Sequence, residues 1–245
     1  MVKDKIGVVT ALWRFPVKSM RGEAVNAERI YWYGLEGDRR YAFVKTGDMS
    51  RFPWLTARDV ADLLRFVPRF TRPEDPLQSP VEVQTPDGLV MALESAELRD
   101  ELARRYRRPV HLMHLGRGTF DSLPISLLSL STVRAIAERQ ARPVEAIRFR
   151  ANILIEAFED RPHVEDSWLG RSLIVGDRPN SARIRVDRVV PRCMMVNLDP
   201  EQTVQDPAIL RDVVDTNDGN LAVYCSTGQP GTVEVGDTVY VVRDG

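Results

Sequence analysis

Ile184-Arg185-Val186-Asp187-Arg188-Val189-Val190 reads as a strand, and Pro191-Arg192-Cys193 follows it at once, leaving a thiol beside a guanidinium at the strand's end. Fixed positive charge favours thiolate, the form that attacks sulfur or binds a soft metal. The competing reading is a buried cysteine acting as a small apolar filler. Outward from this run, β-type segments dominate the second half: residues 151–156, 172–175, 194–198, 221–225 and 238–242. Gly170, Gly176, Gly219, Gly231 and Gly236 mark the turns between them. Two helices interrupt the pattern. One runs over 132–140 with Ser131 as N-cap and Pro143 beyond its end; the other covers 207–214 with Asp206 as cap and Pro207 as its first residue.

The first half reads the same way. Strands over 6–15, 24–31 and 41–45 are separated by Gly22, Gly34/Gly37 and Gly47-Asp48, which suggests a small barrel or meander. Thr56 is a possible N-cap for a helical segment over 60–66. A proline-rich loop follows, then a strand pair turned by Pro86-Asp87-Gly88, and a helix over 95–107 whose Arg104, Arg105, Arg107 and Arg108 complement the helix dipole from a solvated end. The expected fold is α+β with two β-rich units, 1–120 and 121–245, and a few peripheral helices.

Composition narrows the function. Lys plus Arg (34) nearly equals Asp plus Glu (35) in 245 residues, so no global positive field would hold nucleic acid or an anionic membrane. The N-terminal residues lack a long apolar h-region, and no stretch approaches the ~18 apolar residues of a membrane helix. Cys193 and Cys225 form no CxxC pair, iron–sulfur run or zinc pattern, which fits a reducing, cytoplasmic setting. No GxGxxG, GxxxxGK[ST], HExxH or GxSxG occurs. His111 and His114 would point to opposite faces of a strand. His163 stands in a polar loop. Cys225 shares one strand face with Leu221 and Val223 and reads as core, as do Trp13 and Trp168.

What remains is an ordered scatter of cations and small polar groups at strand ends: Lys18-Ser19, Arg39, Arg58, Arg150 with Asn152, and Arg192 beside Cys193. Strand ends and their loops are where β-rich folds mount binding groups. If these segments converge, they form an anion pocket with one thiol. Lysine supplies a point charge there and arginine a planar fork suited to phosphate.

The order of these runs carries a resemblance. Pro16-Val17-Lys18-Ser19-Met20-Arg21-Gly22, Gly34-Leu35-Glu36-Gly37-Asp38-Arg39 and Thr56-Ala57-Arg58 resemble the N-terminal β-barrel unit of MOSC proteins, the molybdenum cofactor sulfurase C-terminal family. Arg148-Phe149-Arg150-Ala151-Asn152, Glu165-Asp166-Ser167-Trp168, Arg192-Cys193, Val196-Asn197-Leu198-Asp199-Pro200 and the run 231–237 resemble the MOSC β-barrel domain itself.

The family includes amidoxime-reducing components that act on N-hydroxylated compounds. The resemblance implies the molybdenum cofactor (molybdopterin), with Cys193 as the metal ligand. It implies Lys18, Ser19, Arg39 and Arg150 as holders of the pterin and its phosphate, with Arg58, Asn152 and Arg192 as further candidates. Asp121 matches an acidic position near the metal. A family-level association with pyridoxal phosphate also attaches to the domain. Electrons would come from a separate donor protein, since the chain has no cysteines for a cluster.

Two departures stand out: Ala151 where the reductases usually have proline, and Pro191, which lacks the N–H that could bond the cofactor or an oxo ligand. Two alternatives therefore stay open, a sulfur carrier or cofactor-handling module using a Cys193 persulfide, and a binding protein that keeps the pocket without turnover.

Overall fold

Residues 184–190 lie within a ten-residue strand, Ala182–Pro191, of a barrel that needs both ends of the chain. The computed structural model describes residues 3–242; Met1 and Val2, part of the N-terminal segment considered above, lie outside the described residues. In chain order the strands are β1 (Lys3–Arg14), β2 (Glu23–Val25), β3 (Ala27–Tyr31), β4 (Gly34–Leu35), β5 (Tyr41–Lys45), β6 (Val67–Phe70), β7 (Val81–Gln84), β8 (Val90–Ala92), β9 (Val110–His114), β10 (Ile125–Ser129), β11 (Ile153–Ala157), β12 (Ser172–Val175), β13 (Ala182–Pro191), β14 (Asn220–Gln229), β15 (Gly231–Glu234) and β16 (Thr238–Val242). The helices are α1 (Ala96–Tyr106), α2 (Leu130–Arg139) and α3 (Pro207–Asn217).

Seven strands close a barrel in the order β1-β11-β10-β14-β13-β12-β16 and back to β1. All neighbours are antiparallel except β10 and β11, whose parallel pairing requires a crossover that α2 helps to supply. Inward residues fill the lumen, among them Val9, Leu12, Leu127, Ile155, Leu173, Ile184, Val223 and Val239. Cys225 belongs to this core, fully buried, its thiol pushed far up by loss of solvent. In β13 Ala182, Ile184 and Val186 face inward by twos, and a register shift between Val186 and Arg188 then breaks the alternation. Such a bulge re-aims the side chains after it. Val190 packs into a separate core under α2 and α3, and Arg188 and Cys193 are exposed.

Residues 17–112 build another core, with Val17, Phe43, Leu55, Phe66, Val83, Leu98 and Leu102 buried among the pairings β5–β9 and β6–β7–β8. Arg14 leaves the barrel strand for this region with no exposure. Its Nε bonds Glu23 at 2.8 Å, its Nη1 bonds Glu28 at 2.6 Å, and the guanidinium lies 4.7 Å from the Phe70 ring.

Local structure departs from the sequence reading at four places. The segment near Thr56 is a 3-10 turn over Ala61–Arg65, capped by Val60 in an extended conformation; Thr56 Oγ1 instead accepts from the Arg58 N–H. Pro68 forces Val67 out of helical geometry, so the turn cannot lengthen. Helix α2 starts two residues early because Ser129, at the end of β10, accepts from the Ser131 N–H and is the cap. Residues 194–198 are not a strand: Met194–Asn197 is a 3-10 turn held by Val196 N–H to Cys193 C=O, and Asn197 Oδ1 accepts from Leu210 N–H on α3. Arg105 at the end of α1 is not free in solvent but pairs with Glu101, Asp62 and Asp87. The cap Asp206 sits where the sequence put it, and Ser95, read as the first residue of α1, is that helix's N-cap.

Gly7 is where β1 meets β11 and β16 at one residue, opposite Ala157 and Val239. A Cβ there would fall 2.5 Å from Glu156 O and 2.7 Å from Ile155 Cγ2, and the first of these is backbone that cannot swing away. Gly7→Ala is expected to destabilise by ~1–3 kcal/mol, as overpacking does, at ~2–4 °C of Tm per kcal/mol for a chain this size. Gly116→Ala, with nothing within 4 Å of the added methyl, should leave the thermal midpoint unchanged.

Glu165 is fully buried, with Thr132 Oγ1 3.1 and 2.9 Å from its two carboxyl oxygens, and burial raises its pKa to about 7. A carboxyl whose folded pKa exceeds its unfolded value binds more protons when folded, so stability falls as pH rises between the two values. Chemical denaturation from pH 4.5 to 7.5 should show that fall, and Glu165→Gln should flatten it.

Candidate functional site

Three backbone segments bring the first cations together. Residues 15–18 run beside 39–41 through Arg39 N–H to Phe15 C=O at 2.6 Å, Lys18 N–H to Tyr41 C=O at 2.8 Å and Tyr41 N–H to Pro16 C=O at 3.2 Å. The Arg39 guanidinium then reaches the third segment, bonding Arg150 C=O at 3.1 Å. Both guanidinium groups lie over the buried Phe15 ring, at 4.7 Å for Arg39 and 4.3 Å for Arg150. Ser19, Arg39 and Arg150 all hold left-handed backbone, with φ of 64°, 49° and 54°. Each such residue costs on the order of 1 kcal/mol or more, strain that folded proteins concentrate at functional sites.

These residues line a cleft of about 710 Å³, a size suited to a small molecule or cofactor. Lys18, Ser19, Arg39, Arg58, Asp121, Arg150, Arg192 and Cys193 are all in its wall, with Phe52, Ser122, Ser126, Arg148, Arg188, Pro191 and Tyr224. Seven basic side chains thus face one carboxylate, in a chain of net charge −1. Cys193 is exposed and can be reached from solvent. Asn152 does not reach the cleft. It is buried behind it, where Oδ1 accepts from Ser126 N–H and Ser126 Oγ, both at 3.1 Å, and Nδ2 donates to Trp13 C=O at 3.2 Å. Its contribution is to fix the wall behind Arg39 and Ser126.

The cations disturb one another. Lys18 is only 8 % exposed and its Nζ donates to Asp121 Oδ1 at 2.7 Å. Burial depresses the Lys18 pKa, Asp121 opposes that, and Arg39 and Arg150 add to it. Burial alone would raise Asp121, but Lys18, Arg39 and Arg150 outweigh it and hold the carboxyl below its usual range. Burial followed by repulsion from Arg39 lowers Arg150 to about 9. Burial lowers Arg192 to about 10.

Arg192 does not direct its fork simply at the neighbouring thiol. Nε bonds Leu221 C=O at 2.7 Å and Nη1 bonds Phe149 C=O at 2.8 Å. Arg150 Nη1 likewise bonds Met20 C=O at 2.7 Å. Arg150 Nη2, Arg192 Nη2 and Ser122 Oγ remain buried without a partner. Buried donors left unpaired cost ~1–3 kcal/mol each, and a bound anion would satisfy them and relieve the repulsion together.

The sequence reading missed Phe52, Ser122, Ser126, Arg188 and Tyr224. Phe52 carries a signal only in three dimensions: Lys18 Nζ lies 5.5 Å and the Arg58 guanidinium 4.9 Å from its ring. Arg188 lies within the β13 run, but its place in the wall follows from the bulge. Arg148, within a quoted run but assigned no role, is buried against Asp199 at 3.1 Å and Val196 C=O at 3.3 Å. His111 and His114 contribute nothing to the cleft, and no group of three or more potential metal-binding His, Cys, Asp or Glu occurs among the described residues.

Barrel and cleft together define a β-barrel protein with a cleft rich in basic residues whose wall carries an exposed thiol. A model of the MOSC domain matches residues 98–240 and one of the MOSC N-terminal beta barrel domain matches residues 6–107, so the chain belongs to the MOSC domain family. It is 25 % identical to human mitochondrial amidoxime-reducing component 1 over 98 % of this chain and 84 % of that protein. It is 28 % identical to the mouse protein of the same name over 50 % of this chain and 37 % of that one. Among solved structures, the YuaD protein of Bacillus subtilis shares the fold at 14 % identity, with a TM-score of 0.51 over 98 % of this chain and 97 % of that one. No helix among the described residues is long and apolar enough to cross a membrane.

If the cleft binds anions, 10 mM pyrophosphate should raise the thermal midpoint, because a ligand held only by the folded state stabilises it by RT ln(1 + [L]/Kd). Arg150→Gln should abolish most of that increment, whereas Arg104→Gln, on the surface of α1, should keep it.

Proposed function

We propose that the cleft binds the molybdenum cofactor, with Cys193 as the metal ligand, and that the protein reduces N-hydroxylated substrates. The observation that carries this reading is a single cleft lined by seven basic residues and one exposed thiol, with the Arg150 and Arg192 Nη2 atoms buried and still unpartnered. Lys18, Ser19, Arg39, Arg150 and Arg192 would hold the phosphate and pterin, and Arg58 closes the rim on Phe52. A soft thiolate suits molybdenum, and such a centre, when bound, supplies two-electron removal of oxygen from an N–O group.

The chain's own residues set the proton positions. Asp121 is held ionised at neutral pH by its cationic neighbours and accepts a hydrogen bond from a substrate N–H or O–H. Burial, with Asp121 nearby, raises the Tyr224 pKa, so its hydroxyl stays protonated as a donor in the same wall. Reduction of N–OH to N–H consumes two electrons and two protons and releases the oxygen as water. We assign the electrons to a separate donor protein and the site of action to the cytoplasm. The human relative carries amidoxime reduction in its name, which supports the reaction class. Pro191 ends β13 beside the cleft, opposite Asn220 of β14.

Protein produced in a host that makes the cofactor should carry molybdenum and pterin fluorescence. Cys193→Ser should lose the metal or at least ~100-fold in benzamidoxime reduction; full retention of both would overturn the assignment.

The exposure of Cys193 also supports a second reading, a sulfur carrier in which the thiol bears a persulfide. Intact-mass analysis after incubation with a cysteine desulfurase and cysteine separates the two. Added sulfur on Cys193 in a metal-free protein favours the carrier, and its absence from a metal-loaded one favours the reductase.

A further inference from the structure

A second groove, of about 480 Å³, backs onto the cleft. Its wall includes Arg29, Tyr31, Tyr33, Leu77, Arg40 and Arg117. At its edge the β3–β4 turn presents three consecutive aromatics to solvent: Tyr31 at 46 %, Trp32 at 58 % and Tyr33 at 46 % exposure, with Leu77 at 43 % nearby. Contiguous exposed apolar surface of this kind, unlike a single exposed leucine, marks an interaction site. Trp, Tyr and Arg are also the residues that dominate binding energy at protein interfaces.

Two chain segments serve both groove and cleft. Leu35, Glu36, Gly37, Asp38 and Arg40 line the groove, while Arg39 between them lines the cleft. Gly116 and Arg117 line the groove, and Asp121 and Ser122, a few residues on, line the cleft. The link is bonded as well as sequential: Asp38 pairs with the Arg39 guanidinium and accepts from Phe15 N–H at 2.7 Å. Gly34 packs against Pro124, where an added Cβ would come within 2.8 Å.

Charge selects the partner. Arg29, Arg40 and Arg117 line the groove against the carboxylates Glu36 and Asp38, and Asp38 is buried and paired with Arg39. Arg117 lies 5.1 Å from the Tyr33 ring and Arg29 5.8 Å from the Tyr31 ring, so cations and aromatics form one patch. A surface of this composition fits an acidic protein, whose encounter the arginines steer and whose contact the aromatics hold. An interface of that sort can be small and short-lived, as electron-transfer contacts are.

We infer that the Tyr31-Trp32-Tyr33 turn with Arg29, Arg40 and Arg117 is the docking surface for an acidic electron-carrier protein that delivers electrons to the adjoining cleft. The assignment rests on the reductase reading for its purpose, and on the exposed patch and shared walls for its location. No bond is made or broken at the patch. The carrier is oxidised by one electron per encounter, so two encounters serve each N–O reduction.

The test uses the full chain, loaded with cofactor, and an acidic [2Fe–2S] ferredoxin, flavodoxin and b-type cytochrome as probes. Trp32→Ser and Arg117→Glu alter exposed side chains outside the cleft. With at least one carrier, each variant should raise the half-saturating concentration ~10-fold at 50 mM salt and leave the methyl-viologen-driven rate of benzamidoxime reduction unchanged. Raising salt to 300 mM should shift the wild type in the same direction. Unchanged half-saturation in both variants overturns the docking surface, as does failure of all three carriers to bind.

Binding is also measured directly by calorimetric titration of the metal-free protein with each carrier, a signal that does not depend on Trp32. If the wild type reduces nothing even with methyl viologen, the reductase reading fails by itself, and carrier binding weakened by Trp32→Ser still decides the surface. Concentration-dependent dimerisation abolished by Trp32→Ser would assign the patch to a second copy of the chain. Binding to anionic phosphatidylserine vesicles that Trp32→Ser abolishes would assign it to a membrane. Either result overturns the inference.

Discussion

The site depends on the closure of the barrel by β1. This strand is hydrogen-bonded to β11 on one side and β16 on the other, and Gly7 permits the close approach that both pairings need. Because the chain runs on from this strand through Phe15 to Lys18, closing the barrel also brings Lys18 to a cleft whose other walls include residues more than a hundred positions away. The Trp13 N–H to Asn152 C=O bond at 2.8 Å pins that delivery, and Asn152 returns a side-chain bond to Trp13 C=O. A hydrophobic interior, made mostly of valine, isoleucine and leucine on alternating positions, supplies the driving force. The polar consequences follow at its rim.

At that rim the protein maintains an arrangement that is unfavourable on its own terms. Lys18, Arg39, Arg150 and Arg192 are brought near one another with partial loss of water, and the pKa values of Lys18, Arg150 and Arg192 fall as a result. The cost is met by main-chain carbonyls from Met20, Phe149, Arg150 and Leu221, by Asp38 and Asp121, and by the flat face of Phe15. Each cation is fixed in place before any ligand arrives. Fixed donors lose little entropy when a ligand binds. The single carboxylate in the wall, Asp121, lies against Lys18 and opposes the burial that lowers the pKa of that ammonium.

Much of the fold was legible because local rules coincide with tertiary ones. The cap Asp206 holds its helix, the helix read over 95–107 is α1, Cys225 is core, and the second half is strand-rich, since each depends on residues only a few positions apart. The misreadings share a cause. Ser131 lost its capping role to Ser129 because the end of β10 fixes where α2 can begin. Residues 194–198 turn instead of extending because Asn197 is drawn to α3. Thr56 holds a tight turn whose length Pro68 limits.

For the site, the sequence alone determined which residue types stand at strand ends and in what order, and so singled out Cys193, Lys18, Ser19, Arg39, Arg58, Arg150 and Arg192, all of which line the cleft, while Asp121 entered only through the family resemblance. Tertiary structure decided what each of them does. Asn152 lies behind the wall, Arg192 is tied to two carbonyls, and Phe52, Arg188 and Tyr224 enter the cleft from segments with no local mark of function. The reason is physical. Chemical type is a property of a residue, whereas burial, repulsion and the side a bulged strand presents are set by neighbours distant in the chain.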